Sequence, residues 1–127
     1  MSGDRLVLDT NAVVSLLSGT SGVAKRVSAA SWLGISVITR LEFLAFSKLS
    51  EEDEELFERF CERVDTVGLT KNDTELLETA VRLRREIGLK LPDAVIAATA
   101  IVERADLVTA DEDFGKVEGL RTIRPAG

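Results

Sequence analysis

Ala94-Val95-Ile96-Ala97-Ala98-Thr99-Ala100-Ile101-Val102 carries no charge and a single hydroxyl. A segment this apolar on nearly every side, opened by Pro92 in a favoured first-turn position, predicts a helix buried between other layers and packed closely through its alanines. It falls well short of the roughly 20 residues that a membrane-spanning helix needs. The rest of the chain must supply the covering layers, and it offers five β-prone runs, at 5–8, 34–38, 65–69, 106–109 and 120–123. Helical stretches separate them: 12–17, 23–32, 39–49 with a Thr39 cap, 51–64 behind a Ser50 capping signal, and one that Thr70 or Asn72 caps and Gly88 ends. A short turn of helix is expected over 111–116, and the tail from Arg124 is expected to fray. Strands alternating with helices are the pattern of an α/β domain: a parallel sheet covered on both faces, a three-layer sandwich, with residues 1–127 forming one domain.

Composition excludes several chemistries. Histidine and tyrosine are absent and Cys61 is the only cysteine. No Ser-His-Asp or Cys-His triad, His-ligated zinc, multi-cysteine cluster or intrachain disulfide can be built from such a chain. Hydrolytic chemistry must come from carboxylates, lysine, hydroxyls or a metal held by oxygen. The first residues, with an acid at Asp4 and only a brief apolar run after it, do not form a secretory signal, so a cytoplasmic protein is expected. The net charge of −6 is no signature of a non-specific nucleic-acid binder. Residues 51–65 alone hold eight acids and two arginines, however, and the rest of the chain is balanced. One helix supplies the whole imbalance, which leaves bases such as Arg40, Arg84, Arg85 and Lys90 to meet a phosphate backbone or plain solvent.

Four acids stand where solvated carboxylates are not expected. Asp9 directly follows Leu6-Val7-Leu8 and Asp111 lies just past Leu107-Val108-Thr109, so both fall at carboxyl ends of strands, on one edge of a parallel sheet. Glu42 sits among Leu41, Phe43, Leu44, Ala45 and Phe46, in what reads as the first turn of the helix after the second strand. Asp93 opens the most apolar helix. Helices that follow parallel strands begin at that same edge, where such sheets place their functional sites. Each acid alone has an ordinary explanation: a turn or cap for Asp9 and Asp111, the helix macrodipole for Asp93, an outward-facing position for Glu42. Together they would repel and raise one another's pKa unless a cation neutralised them. Mg²⁺ and Mn²⁺, hard cations that prefer oxygen and keep several waters, suit a chain with no histidine and one cysteine. Such an ion polarises a phosphoryl oxygen and activates water, so phosphodiester hydrolysis is the implied reaction.

The stretches around these acids are Leu8-Asp9-Thr10-Asn11, Ile38-Thr39-Arg40-Leu41-Glu42, Leu91-Pro92-Asp93-Ala94-Val95-Ile96-Ala97-Ala98-Thr99-Ala100 and Leu107-Val108-Thr109-Ala110-Asp111-Glu112-Asp113-Phe114. As an ordered set they resemble the four acidic motifs of the PIN-domain family, and within it the VapC-type toxins of toxin–antitoxin pairs. The resemblance covers nearly the whole chain without a large insertion. It implies a five-stranded parallel sheet of order 3-2-1-4-5 and a Mg²⁺- or Mn²⁺-dependent endoribonuclease acting on single-stranded RNA. By matching position, Asp9, Glu42, Asp93 and Asp111 would be the catalytic, metal-holding quartet, with Asp9 and Asp93 its principal ligands and Asp113 a candidate fifth acid. Asn11 and Thr109 would orient carboxylates or water. The implied partners are a second copy in a homodimer and a cognate antitoxin whose tail covers the acidic cleft, with no membrane. Two other classes place an acid after the first strand. Phosphohydrolases with an aspartate nucleophile want a second acid where Asn11 stands, and receiver-like signalling domains want paired acids before the first helix and a lysine after the last strand, neither of which is present.

Overall fold

A computed structural model describes residues 4–19 and 22–125. The strands are β1 (Arg5–Leu8), β2 (Trp32–Ser36), β3 (Asp65–Val67), β4 (Asp106–Val108) and β5 (Thr122–Ile123). Every pairing is parallel and the order is β3-β2-β1-β4-β5, as the resemblance implies. The helices between them are α1 (Thr10–Ser18), α2 (Val23–Ala29), α3 (Val37–Leu44), α4 (Glu51–Arg63), α5 (Thr74–Glu86) and α6 (Leu91–Val102), with a 3₁₀ turn over Glu112–Lys116.

The central strand shows why the layers form, because alternate side chains of a strand point to opposite faces. Leu6 and Leu8 pack with Val13 of α1, Val23 of α2, Phe43 of α3 and Phe57 of α4. Val7 packs on the other face, with Leu83 of α5 and Ile96 of α6. Both faces of the sheet are thereby covered, as a parallel sheet requires. Ala94 to Ala100 are all buried, so α6 is the enclosed helix that its composition predicts. The Phe43 and Phe57 rings stack with centroids 4.1 Å apart and join α3 to α4. No helix among the described residues is long and apolar enough to cross a membrane.

Several elements begin and end away from the boundaries that composition suggests, and tertiary pairing or caps explain the differences. β2 runs over 32–36 rather than 34–38, because Trp32 pairs beside Arg5 and the Ile38 N–H donates to the Ser36 hydroxyl at 3.1 Å. That bond starts α3 at Val37, ahead of Thr39, and puts Glu42 in the second turn instead of the first. Thr39 is buried inside the helix, where its hydroxyl finds no partner among the described residues. α3 ends at Leu44 and α2 at Ala29, both short of expectation. Neither Thr70 nor Asn72 caps α5; it starts behind Asp73, whose carboxylate accepts the Thr70 N–H at 2.6 Å. Ser50 does cap α4, accepting from the Asp53 N–H at 3.1 Å. The end of the chain is held further than expected: Pro125 is buried, while Ala126 and Gly127 lie outside the described residues.

Candidate active site

Asp9 is the final residue before α1 and its N-cap, 5% exposed at the carboxyl end of β1. A β-strand feeding straight into a helix leaves the first helical N–H groups without partners, and the aspartate supplies one. Its Oδ1 accepts the Thr10 N–H at 2.7 Å, and its Oδ2 accepts the Thr109 hydroxyl at 2.7 Å and the Asn11 side-chain amide at 3.1 Å. Thr109, just past the end of the neighbouring β4, is itself buried. Asn11 Oδ1 in turn accepts the Ala110 N–H at 2.9 Å, and the Asp111 N–H donates to the Thr109 hydroxyl at 3.0 Å. This network ties the ends of β1 and β4 together. Asn11 and Thr109 therefore both donate to the Asp9 carboxylate.

Glu42 is exposed on α3, and the Thr10 hydroxyl donates to its Oε1 at 2.8 Å. Thr10 is absent from the residues singled out in the sequence, although it directly follows Asp9 in the first acidic stretch. Asp93 lies half-buried in the first turn of α6, and its carboxylate takes no hydrogen bond from the described residues. Burial, then the charges of Asp9, Asp111 and Glu42, push its carboxyl up to about 6 from an ordinary 3.8, against an opposing pull from Lys90. Burial also raises Asp9, and the charges of Glu42 and Asp111 add to this, while hydrogen bonds from Thr109 and Thr10 hold it back. The four acids thus lie within electrostatic reach of one another at the carboxyl edge of the sheet. Asp111 caps the 3₁₀ turn, its Oδ1 accepting the Asp113 N–H at 2.9 Å. The Asp113 carboxylate turns to Lys116 Nζ at 3.6 Å, exposed at the flank.

The chemistry of this donor set fits a hard divalent cation. All four groups are carboxylates, and their mutual repulsion is what such an ion neutralises. Among the described residues no three acidic or cysteine side chains are grouped to hold one ion by themselves. An ion here would keep part of its water, which Mg²⁺ does by preference.

Two cavities adjoin the cluster. One, of about 430 Å³, lies against Thr10 and Glu42 and is walled by Val14, Phe43, Phe46 and Leu56. The other, of about 250 Å³, shares Thr109 and Asp111 with the site and reaches Thr122 and Arg124.

No curated protein sequence matches the chain. Among solved structures it is similar to a toxin–antitoxin complex from Klebsiella pneumoniae, at 29% identity and a TM-score of 0.72, over 95% of this chain and 98% of that one. In fold it is similar to VapBC2 from Rickettsia felis bound to a promoter DNA fragment (21% identity, TM-score 0.77, 94% of this chain and 98% of that one). The same holds for DNA-bound VapBC from Salmonella typhimurium (22% identity, TM-score 0.77, 95% and 98%). A family model described as PIN domain matches residues 6–120, which takes in β2, β3, β4, all of β1 but its first residue, and all four acids. The chain belongs to the PIN domain family.

Proposed function

We propose that this chain is a Mg²⁺- or Mn²⁺-dependent endoribonuclease that hydrolyses single-stranded RNA in the cytoplasm, and the toxin of a toxin–antitoxin pair. The observation that carries this reading is the gathering of Asp9, Glu42, Asp93 and Asp111 at the carboxyl edge of the sheet of a PIN domain. A fold that gathers carboxylates in this way sacrifices stability unless a cation joins them. Asp9, Glu42, Asp93 and Asp111 would hold the ion, directly or through water. Bound there, it would polarise a phosphoryl oxygen of the scissile bond and favour ionisation of the attacking water.

The chain's own residues do the positioning. Three donors fix Asp9 in one orientation, and the Thr10 hydroxyl sets Glu42 beside it. Asp93, without a hydrogen bond of its own, can turn towards the ion or towards water. Lys90, close enough to Asp93 to act on its charge, offers the RNA backbone a cation at the rim. Both Asp9 oxygens are engaged by donors, which counts against a nucleophilic aspartate.

The likeness to toxin–antitoxin complexes supports a cognate antitoxin as partner. Exposed Val14, Phe46 and Leu56 beside Glu42 give its tail an apolar surface to cover, and exposed Leu41 and Leu91 leave further apolar surface for a homodimer. Purified protein should cleave single-stranded RNA only with Mg²⁺ or Mn²⁺. Cleavage should stop on chelation and be lost in Asp9→Asn and Asp93→Asn, with circular dichroism unchanged. Cleavage that persists in chelator or in either variant rejects the proposal.

A further inference from the structure

The two cavities beside the acids both carry carboxylates, but one is walled by apolar side chains and the other is polar and holds an arginine. The larger is walled by Val14, Leu17, Phe43 and Leu56, and its polar rim includes Glu42 and Asp53. An apolar wall with no cation among its described residues offers a phosphate no opposite charge. The smaller lies across the ends of β4 and β5 and the 3₁₀ turn, and is lined by Thr109, Asp111, Glu112, Gly115, Thr122 and Arg124. Arg124 is the only cation among the described residues lining either cavity.

The placement of Arg124 suits a phosphate. Its neighbours Ile123 and Pro125 are both buried, so its backbone is anchored on either side although it stands near the end of the chain. Its side chain is 65% exposed, and Nη2 donates to Glu112 Oε1 at 2.6 Å. A guanidinium has five N–H donors in a planar fork, and one bond to Glu112 steadies the group while leaving most of that fork open. An exposed ion pair of this kind is weak enough for a phosphate to compete with or join. Beyond Gly115 nothing stands within 4 Å of where a Cβ would be, so the backbone there gives open space beside the guanidinium. RNA approaching four carboxylates needs compensating positive charge on the protein, and besides Lys90 it finds Arg124 one strand beyond Asp111.

We infer that this pocket binds the RNA phosphate adjacent to the scissile one, with Arg124 as its phosphate-binding residue and Glu112 holding the guanidinium in place. The inference rests on the ribonuclease reading above. It sets the course of the strand: along the carboxyl edge of the sheet over β4 and β5, away from the apolar groove between α1, α3 and α4.

The test compares wild type, Arg124→Gln and Arg124→Lys on two substrates in Mg²⁺ or Mn²⁺. One is a single-stranded oligoribonucleotide of about ten residues; the other is a dinucleoside monophosphate, which has no phosphate besides the scissile one. On the oligonucleotide, Arg124→Gln should raise KM about tenfold with kcat within twofold. Arg124→Lys, which keeps the charge and loses the fork, should fall between. The slope of log affinity against log salt should shrink by about 0.7, the loss of one single-strand phosphate contact. On the dinucleoside substrate all three proteins should be alike. An Arg124→Gln variant equal to wild type on the oligonucleotide overturns the assignment and leaves the ribonuclease reading standing. Equal losses on both substrates also overturn it, since they mark a structural role. A wild type that cleaves neither substrate brings down both readings.

Discussion

Replacing Asp93 by Asn is expected to stabilise the metal-free protein while removing its activity. In the fold its carboxyl titrates near 6 instead of 3.8, through burial and the charges of Asp9, Asp111 and Glu42. Converted in full, that shift disfavours the folded anion by about 3 kcal/mol. Asp93 is only half-buried, and screening by solvent cuts the figure to about 1.5 kcal/mol. The variant also forfeits the favourable interaction of a negative charge with the first turn of α6, about 0.5 kcal/mol. The net gain is about 1 kcal/mol, or roughly 4 °C in Tm for a domain of this size.

The pH dependence separates this cause from others. The folded carboxyl keeps its proton to a higher pH than the unfolded one does, so its contribution to stability is complete below about pH 4 and is lost as pH rises through about 6. Asparagine does not titrate. Thermal melts in chelator should show Asp93→Asn above wild type at pH 7, with the advantage shrinking towards pH 4. Mg²⁺ at ten times its dissociation constant should stabilise wild type by about 1.4 kcal/mol, enough to reverse the order. A variant that melts at or below wild type at pH 7 in chelator, with an unchanged pH slope, refutes the placement of these carboxylates in one another's field.

Four further outcomes follow from the same geometry. Mg²⁺ affinity by calorimetry should improve about tenfold from pH 5 to pH 7, as Asp93 loses its proton near 6; a flat profile contradicts this. Thr109→Val, which keeps the shape and removes the hydroxyl that donates to Asp9 Oδ2 and accepts from Asp111, should cost about 1.5–3 kcal/mol by urea titration. It should also lower the cleavage rate at least tenfold, and wild-type activity would show that Asp9 needs no such support. Phe57→Ala removes a fully buried ring stacked on Phe43 and should cost about 3–5 kcal/mol, read from the denaturation midpoint. Gly34→Ala places a methyl inside the space of the Trp32 ring, so it should cost about 1–3 kcal/mol and change the emission of the only tryptophan; an unaltered spectrum and midpoint would show that the ring moves freely.

The layering was legible because it depends on local signals: an apolar strand such as Leu6-Val7-Leu8 halted by an acid, a proline-opened helix with no polar side, a serine ahead of an acidic turn; the strand order followed only from the family resemblance. Element boundaries were less so. Ser36 and Thr39 both offer a hydroxyl at a helix start, and the choice falls to Ser36 because β2 is drawn back to pair with β1, a tertiary fact. At the site, Asp9, Asp93 and Asp111 were visible because each follows or opens an apolar element. Thr10 was not, since its partner Glu42 arrives from α3, 32 residues further on. Arg124 looked like part of a loose tail, and only the burial of Pro125 reveals that it is anchored.

Asp9 and Asp93 are the same residue type at the same edge of the sheet, and their surroundings make them different reagents. Asp9 is almost fully enclosed, yet the Thr109 hydroxyl, the Asn11 amide and the Thr10 N–H all donate to it, so the protein supplies much of what water would have given its anion. Asp93 has burial and three like charges against it, opposed only by the charge of Lys90, and takes no hydrogen bond from the described residues. The first is therefore held in one orientation by its three donors. The second carries the unfavourable energy of the cluster and, on the proposed reading, would be the group whose state changes most when a cation binds. On the proposed metal-dependent reading, a site built this way loses stability when empty and would regain it when filled, coupling the folding of the domain to the ion.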